Sequence, residues 1–288
     1  MEKTPQNTNP LSRYFRQPQL YISLPSAGRF YDDTVITKTA NGEHAVLPMT
    51  SMDEMAFKIP DALMSGQSSV DVIKSCVPDI KDPWKLVNYD LDTVLIAIRI
   101  ASYGETLDVT AGVPGTNEQA SHSVSLPQML DQIRRHVITN ECVLTDGLKI
   151  KVKPLTYKQV TEAQLKTFEQ QRIYSQINQS DMSAEEKTKR FSDSFKQLNM
   201  LNTNLLISNI DEITLPSGEA VSNADHIKDF IANADAKIIK DLENKLIDIR
   251  QQGSIKPFRV DATEEQIKEG APTSYEVPIT FDNANFFV

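Results

Sequence analysis

Few residues of this 288-residue sequence could support redox, metal or catalytic chemistry. The two cysteines, Cys76 and Cys142, are far apart and outside any CxxC pair, so they predict no disulfide framework. Both have apolar neighbours, among which a free cysteine behaves as a small hydrophobic side chain. The four histidines are isolated from one another and from the cysteines, and no nucleophile-elbow, P-loop or dinucleotide-binding motif occurs. The sequence therefore predicts no metal site, no cofactor and no enzymatic activity.

Long apolar runs and an excess of basic residues are also missing. No stretch reaches the roughly 18 uninterrupted apolar residues of a membrane span, and the polar first 19 residues do not resemble a signal peptide. A net charge of −9 argues against nucleic-acid binding, which needs clustered Lys and Arg. Lys149, Lys151 and Lys153 alternate with apolar residues, as on the exposed face of a strand. We therefore expect a folded cytosolic protein with no nucleic-acid or membrane partner.

Turn and capping signals divide the first hundred residues. Val35–Thr37 and Ala45–Leu47 flank Asn41-Gly42, which predicts a hairpin between them. Thr50 or Ser51 is a predicted N-cap for a short helix with acidic residues in its first turn. These signals favour short hairpins and helices in this part of the chain.

The run from Asp90 to Tyr103 is apolar on almost every side and is followed by Gly104. This pattern predicts a buried helix ending at that glycine, although the alternating isoleucines leave a strand open. Arg99 lies within the run, and an unpaired buried charge is costly. We expect it either to pair with a carboxylate or to reach a surface.

The remaining pattern completes an α+β fold. Alternating residues predict strands at 105–109 and 122–126 and a hairpin across Thr145-Asp146-Gly147, whereas 156–253 is mainly helical. Ser183 and Glu186 form a capping box, and a long apolar stripe runs from Ile227 to Ile249, suited to an intramolecular core or to a partner helix. Residues 275–281 should form a closing strand that pairs with the N-terminal region.

Four segments follow from these patterns. Residues 1–20 form a flexible N-terminal arm, 21–155 a mixed core of short hairpins and helices, 156–253 a helical region, and 254–288 a C-terminal loop and strand returning to the core.

Large apolar or cationic side chains at turns and chain ends are the candidate interface residues, because such groups often dominate binding when an interface covers them. They are Arg13, Phe15, Phe30, Tyr31, Trp84, Phe286, Phe287 and Val288. Core packing is the alternative for Trp84. The final Phe-Phe-Val would leave an exposed apolar patch unless it packed on the fold or on another subunit.

Several stretches, taken in order, resemble the baseplate hub proteins of T4-like contractile-tailed phages. They are LPSAGRFY (24–31), LPMTSMDEM (47–55), PDALMSG (60–66), DTVLIAIRIASYGETLDV (92–109) and VPITFDNANFFV (277–288). The likeness covers residues 21–110 and the last dozen residues well, and the middle only in helical character. The resemblance implies a non-enzymatic structural protein of the virion's tail baseplate, present in the host cytoplasm during assembly. The implied partners are other baseplate and hub proteins, with tape measure or tail tube proteins as further candidates.

The resemblance also implies a four-cysteine zinc site, with one cysteine pair at the tip of the 105–126 hairpin and a second before the closing strand. Here these stretches read TAGVPGTNEQ and DATEEQIKEGAPTSYE, without a cysteine. Because a structural zinc ion of this kind needs four thiolates, we expect none.

The alternative to a permanent hub component is a transient assembly chaperone that leaves before the virion matures.

Overall fold

The computed structural model describes residues 9–59, 64–135, 139–180, 182–279 and 286–287. Its helices are α1 Ser51–Ala56, α2 Gln67–Cys76, α3 Asn88–Tyr103, α4 Leu126–Arg135, α5 Tyr157–Gln179, α6 Ala184–Ser208, α7 Ala224–Asn233, α8 Ala236–Gln252 and α9 Glu264–Lys268. Its strands are β1 Leu20–Ser23, β2 Glu43–Val46, β3 Thr106–Gly112, β4 Gln119–Ser125, β5 Glu141–Val143, β6 Lys149–Val152, β7 Ile210–Thr214, β8 Ala220–Val221, β9 Phe258–Asp261 and β10 Ser274–Val277. The helices and small antiparallel sheets confirm the predicted α+β class.

Helix α3 lies at the centre of the first hydrophobic core. Its residues from Val94 to Ile98 are buried, and the chain turns away at Gly104 with φ +96°. The helix prediction for this run is therefore confirmed and the strand alternative is wrong. The buried Asp90 accepts hydrogen bonds from the Ser26 amide (2.9 Å) and the Tyr31 hydroxyl (2.6 Å). These bonds fix the 24–31 loop against the first turn of α3.

The predicted hairpin between Val35–Thr37 and Ala45–Leu47 is wrong. Strand β2 pairs instead with β1, in a register that places Leu20 opposite Val46. The backbone around Val35 is already satisfied by residues 79–82, because the Lys81 amide donates to the Val35 carbonyl at 2.8 Å. Buried backbone amides and carbonyls need hydrogen-bond partners, and the segment that follows α2 supplies them here.

A second core combines the sheet β5-β6-β7-β8 with α7 and α8. Ile150 is buried whereas Lys149 and Lys151 are exposed, which confirms the alternation predicted for this strand. The apolar stripe is divided at Ala234-Asp235 into α7 and α8, and its buried members serve this intramolecular core. The capping box at Ser183 is confirmed at the start of α6.

A third, small core lies where the β3-β4 hairpin meets the β9-β10 hairpin. Val113 and Tyr275 are buried there, and the Gly115 backbone lies against that of Gly270. Strand β10 pairs with β9, so the predicted pairing with the N-terminal region is wrong for residues 275–277. Residues 280 and 281 of the predicted closing strand lie outside the described residues. The antiparallel partner was supplied by residues 258–261, only a short helix away.

Candidate protein interface

The structure places the candidate interface residues in three environments. Arg13 and Phe15 are exposed at the surface, and Phe30 and Trp84 are half-buried. The buried candidates are Tyr31, Phe286 and Phe287. Val288 lies outside the described residues. Only the two arm residues among these candidates are fully available to a partner in this conformation.

Phe286 and Phe287 complete the first core. The Phe287 ring stacks on Phe57 with centroids 4.6 Å apart, and it meets Phe286 edge-on at 4.9 Å. Each is only 2% exposed. Of the two alternatives for this apolar segment, packing on the chain's own fold therefore accounts for these two rings.

Arg99 holds the same segment in place. Its Nε donates to the Phe286 carbonyl oxygen at 2.9 Å, and its guanidinium lies 4.5 Å from the centre of the Tyr103 ring. Burial lowers the pKa of Arg99. Of the two expectations for Arg99, a carboxylate partner is not seen in the described part of the chain. The side chain is half-buried and contacts a carbonyl and an aromatic face. The Tyr103 hydroxyl has one proton for two acceptors, the Phe287 carbonyl oxygen and the Glu54 carboxylate, each 3.0 Å away.

Arg16 anchors the N-terminal arm to the first core. Its guanidinium donates to the Pro48 carbonyl (2.8 Å), the Ser75 carbonyl (2.7 Å) and the Asp53 carboxylate (3.2 Å). It also reaches the Sγ of Cys76 at 3.6 Å. Burial, with a smaller contribution from Asp53, raises the pKa of that thiol to about 12, which keeps it protonated and unreactive. The arm is therefore fixed at residue 16, close to α1.

Helix α1 turns its acidic residues inward and its methionines outward. The Asp53 side chain is 11% exposed because it binds Arg16, and Glu54 accepts a bond from the Tyr103 hydroxyl at 3.0 Å. Met52 and Met55, by contrast, are 72% and 56% exposed. This polarity is the reverse of that of an ordinary surface helix, in which the apolar face covers the core.

The arm and α1 together present large apolar side chains to solvent. We call them the arm–α1 surface: Leu11, Tyr14, Phe15, Met52, Met55 and Tyr103. Contacts of Arg16 with Asp53 and of Tyr103 with Glu54 hold the elements that carry them together. Exposed apolar side chains of this size make this surface a candidate interaction site, and methionine adapts its shape to varied partners.

Met52 and Met55 were missing from the sequence-predicted interface. Their signal was present, since the stretch MDEM (52–55) places two methionines three residues apart beside two carboxylates. Which of these two faces points inward depends on Arg16, 37 residues away from Asp53. A local pattern does not contain that information.

A scan against protein-family models matches residues 36–266 to the family described as T4 bacteriophage base plate protein. The chain belongs to this family. No curated protein and no solved structure matches it. The match continues through the helical region, where the sequence resemblance was weakest. Membership indicates a structural role for this baseplate protein and a location in the phage tail.

The two segments implied to hold zinc-binding cysteines lie against each other in this baseplate protein. Apolar side chains fill the space between them, including Val113, Ala271 and Val277, each less than 10% exposed. Neither segment offers a thiolate, and the described residues form no group of three or more His, Cys, Asp or Glu suited to a metal ion. The residues present therefore do not fit a zinc ion, and a small hydrophobic core joins the hairpins. Within the same described ranges, no helix has the length and hydropathy to cross a membrane.

Proposed function

We propose that this baseplate protein is a hub component that joins neighbouring tail proteins of a contractile phage tail through the arm–α1 surface. The outward orientation of Met52 and Met55 is the observation that carries this proposal. Two carboxylates that could have made α1 a solvated helix are used for internal contacts, so the apolar face is left for a partner.

The supporting structure suits a rigid docking site. Arg16 makes short charge-assisted and carbonyl contacts to three separate segments, at Pro48, Asp53 and Ser75. Such bonds are among the stronger ones in proteins because an ionised donor is involved. A partner that covers this surface would lose little conformational entropy in the scaffold, which favours affinity.

The partners proposed are other baseplate and hub proteins, with tape measure or tail tube proteins as further candidates. In the proposed mechanism the protein binds and positions its partners and catalyses no reaction. The arm–α1 surface equally suits a transient assembly chaperone, because methionine-rich surfaces bind and release varied partners. Retention in the mature particle separates the two roles.

The test pairs two measurements on the source phage. Quantitative mass spectrometry of mature particles, normalised to a tail protein of known copy number, should give a fixed stoichiometric count for a hub component. Absence from particles together with abundance in the lysate would establish the chaperone role instead.

The surface itself is tested with Met52→Ser combined with Met55→Ser. The double variant should keep the wild-type unfolding midpoint but fail to support tail assembly, because only exposed apolar area is lost. Met200→Ser on α6, where the methionine is 66% exposed, is the matched control and should assemble normally. Normal assembly of the double variant would contradict the proposed surface.

A further inference from the structure

A cavity of about 510 Å³ lies where the first turns of α3, the helix α5 and the ends of α6 and α8 meet. Its walls are largely apolar, with side chains from Val152, Leu155, Val160, Leu205, Leu246 and Ile249. Cavities of this size and character are typical of small-molecule sites, in which a few polar groups orient the ligand. It lies apart from the arm–α1 surface.

Among the described residues that line this cavity, Asp92 supplies the one carboxylate. It sits in α3, two residues after Asp90, whose carboxylate is satisfied by Ser26 and Tyr31. Asp92 has no hydrogen bond or ion pair with any residue that the structure describes. Arg250 also lines the cavity, but no ion pair joins it to Asp92.

An isolated carboxylate in such surroundings is unfavourable in its charged form. Desolvation by the surrounding protein raises the pKa of the half-buried Asp92 to about 7. A cation entering the cavity would remove this penalty, because an opposite charge at close range favours the ionised carboxylate. The apolar walls would at the same time bury the ligand's hydrocarbon portion.

We propose that the cavity at Asp92 binds an alkylammonium group, with the ammonium on the carboxylate and the aliphatic chain along the apolar walls. A free aliphatic amine and a lysine side chain of a neighbouring protein carry this same chemistry.

The primary experiment is calorimetric titration of the full chain with n-pentylamine at pH 8, with n-pentanol as the neutral analogue. We expect the amine to bind at least tenfold more tightly than the alcohol and to lose that advantage in Asp92→Asn. Asp248→Asn removes an exposed carboxylate from α8, next to the wall residue Ile249, and should bind like the wild type. Nα-acetyl-lysine N-methylamide distinguishes the sources: binding as tight as the amine's indicates a protein lysine, and weaker binding a free amine.

A pH series on the wild type gives a readout that needs no variant. With a pKa of about 7, roughly a tenth of Asp92 is ionised at pH 6 and nine-tenths at pH 8. Amine affinity should therefore fall about tenfold between pH 8 and pH 6. Among the described residues of the lining, the other titratable groups are Tyr89, whose pKa burial raises, and Arg250, which stays charged. Neither changes its charge in this range.

Four results would overturn the proposal. The first is equal affinity for the amine and the alcohol. The second is unchanged amine binding in Asp92→Asn, and the third is an affinity that does not vary between pH 6 and pH 8. If Arg250→Gln creates amine binding that the wild type lacks, Arg250 is the partner of Asp92 in solution and the site is closed by an internal ion pair.

Discussion

Replacing Phe287 with alanine tests whether the 286–287 segment stabilises the first core. The ring is 2% exposed, stacks on Phe57 at 4.6 Å and contacts Phe286 edge-on at 4.9 Å. Truncating a buried phenylalanine costs about 3–5 kcal/mol, from lost transfer free energy and from the cavity left behind. The two ring pairs, each worth about 0.5–1.5 kcal/mol, place the expected loss near 4 kcal/mol.

Urea unfolding followed by tryptophan fluorescence is the appropriate assay. Trp84 is the single tryptophan, and it lies between the buried residues Pro83 and Leu86, so its signal reports on the first core. With a denaturant slope of about 3 kcal/mol per molar, the midpoint should fall by roughly 1.3 M. Phe15→Ala is the matched control, because that ring is 58% exposed, and it should shift stability by no more than about 0.5 kcal/mol. A loss below about 1 kcal/mol for Phe287→Ala would refute the assignment of this ring to the core.

Three further changes probe other contacts. Gly115→Ala should destabilise by about 2 kcal/mol or more in thermal unfolding, since φ is +83° and a Cβ would overlap the Gly270 carbonyl; Gly112→Ala, with open space around it, should be near neutral. Arg16→Ala should cost about 2 kcal/mol and speed tryptic cleavage of the arm, because three segments lose a charge-assisted donor, and unchanged cleavage would contradict the anchoring. Tyr31→Phe should cost about 2–4 kcal/mol, because the carboxyl group beneath the 24–31 loop loses a donor and the Val87 amide loses its acceptor. Burial raises the pKa of the Asp90 carboxyl above its value in the unfolded chain, so its ionisation lowers the free energy of unfolding as pH rises. The loss caused by Tyr31→Phe should therefore become smaller as pH falls. A loss that does not depend on pH would contradict this expectation.

Elements with local signals could be predicted from the sequence. The N-cap at Thr50 and the capping box at Ser183 depend on side chains that bond amides three residues away. The helix through Ile96 was recognised by its length and by the glycine that follows it. In each case the determining contacts lie within about one turn of the chain.

Long-range pairings could not be predicted in this way. Two apolar segments, β1 and residues 35–37, could have paired with β2. It pairs with β1, because the backbone of Val35 is already hydrogen-bonded to residues after α2. The place of Phe286 and Phe287 is a second case. The sequence left open whether this segment packs on the fold or on another subunit. The residues that decide it, Phe57 and Arg99, lie almost 200 residues or more away along the chain.

The segment at 286–287 also sets the order of events during synthesis. Tyr103 and the Phe287 carbonyl that it binds are separated by 184 residues. At ribosomal rates of about 5–20 residues per second, the nascent chain waits roughly 10–40 s between making the two halves of this contact. The second core, built from residues 142–249, is complete before the first one can close. The Phe57 site stays open during that interval, so a factor that shields it co-translationally would have its clearest effect before residue 287 emerges.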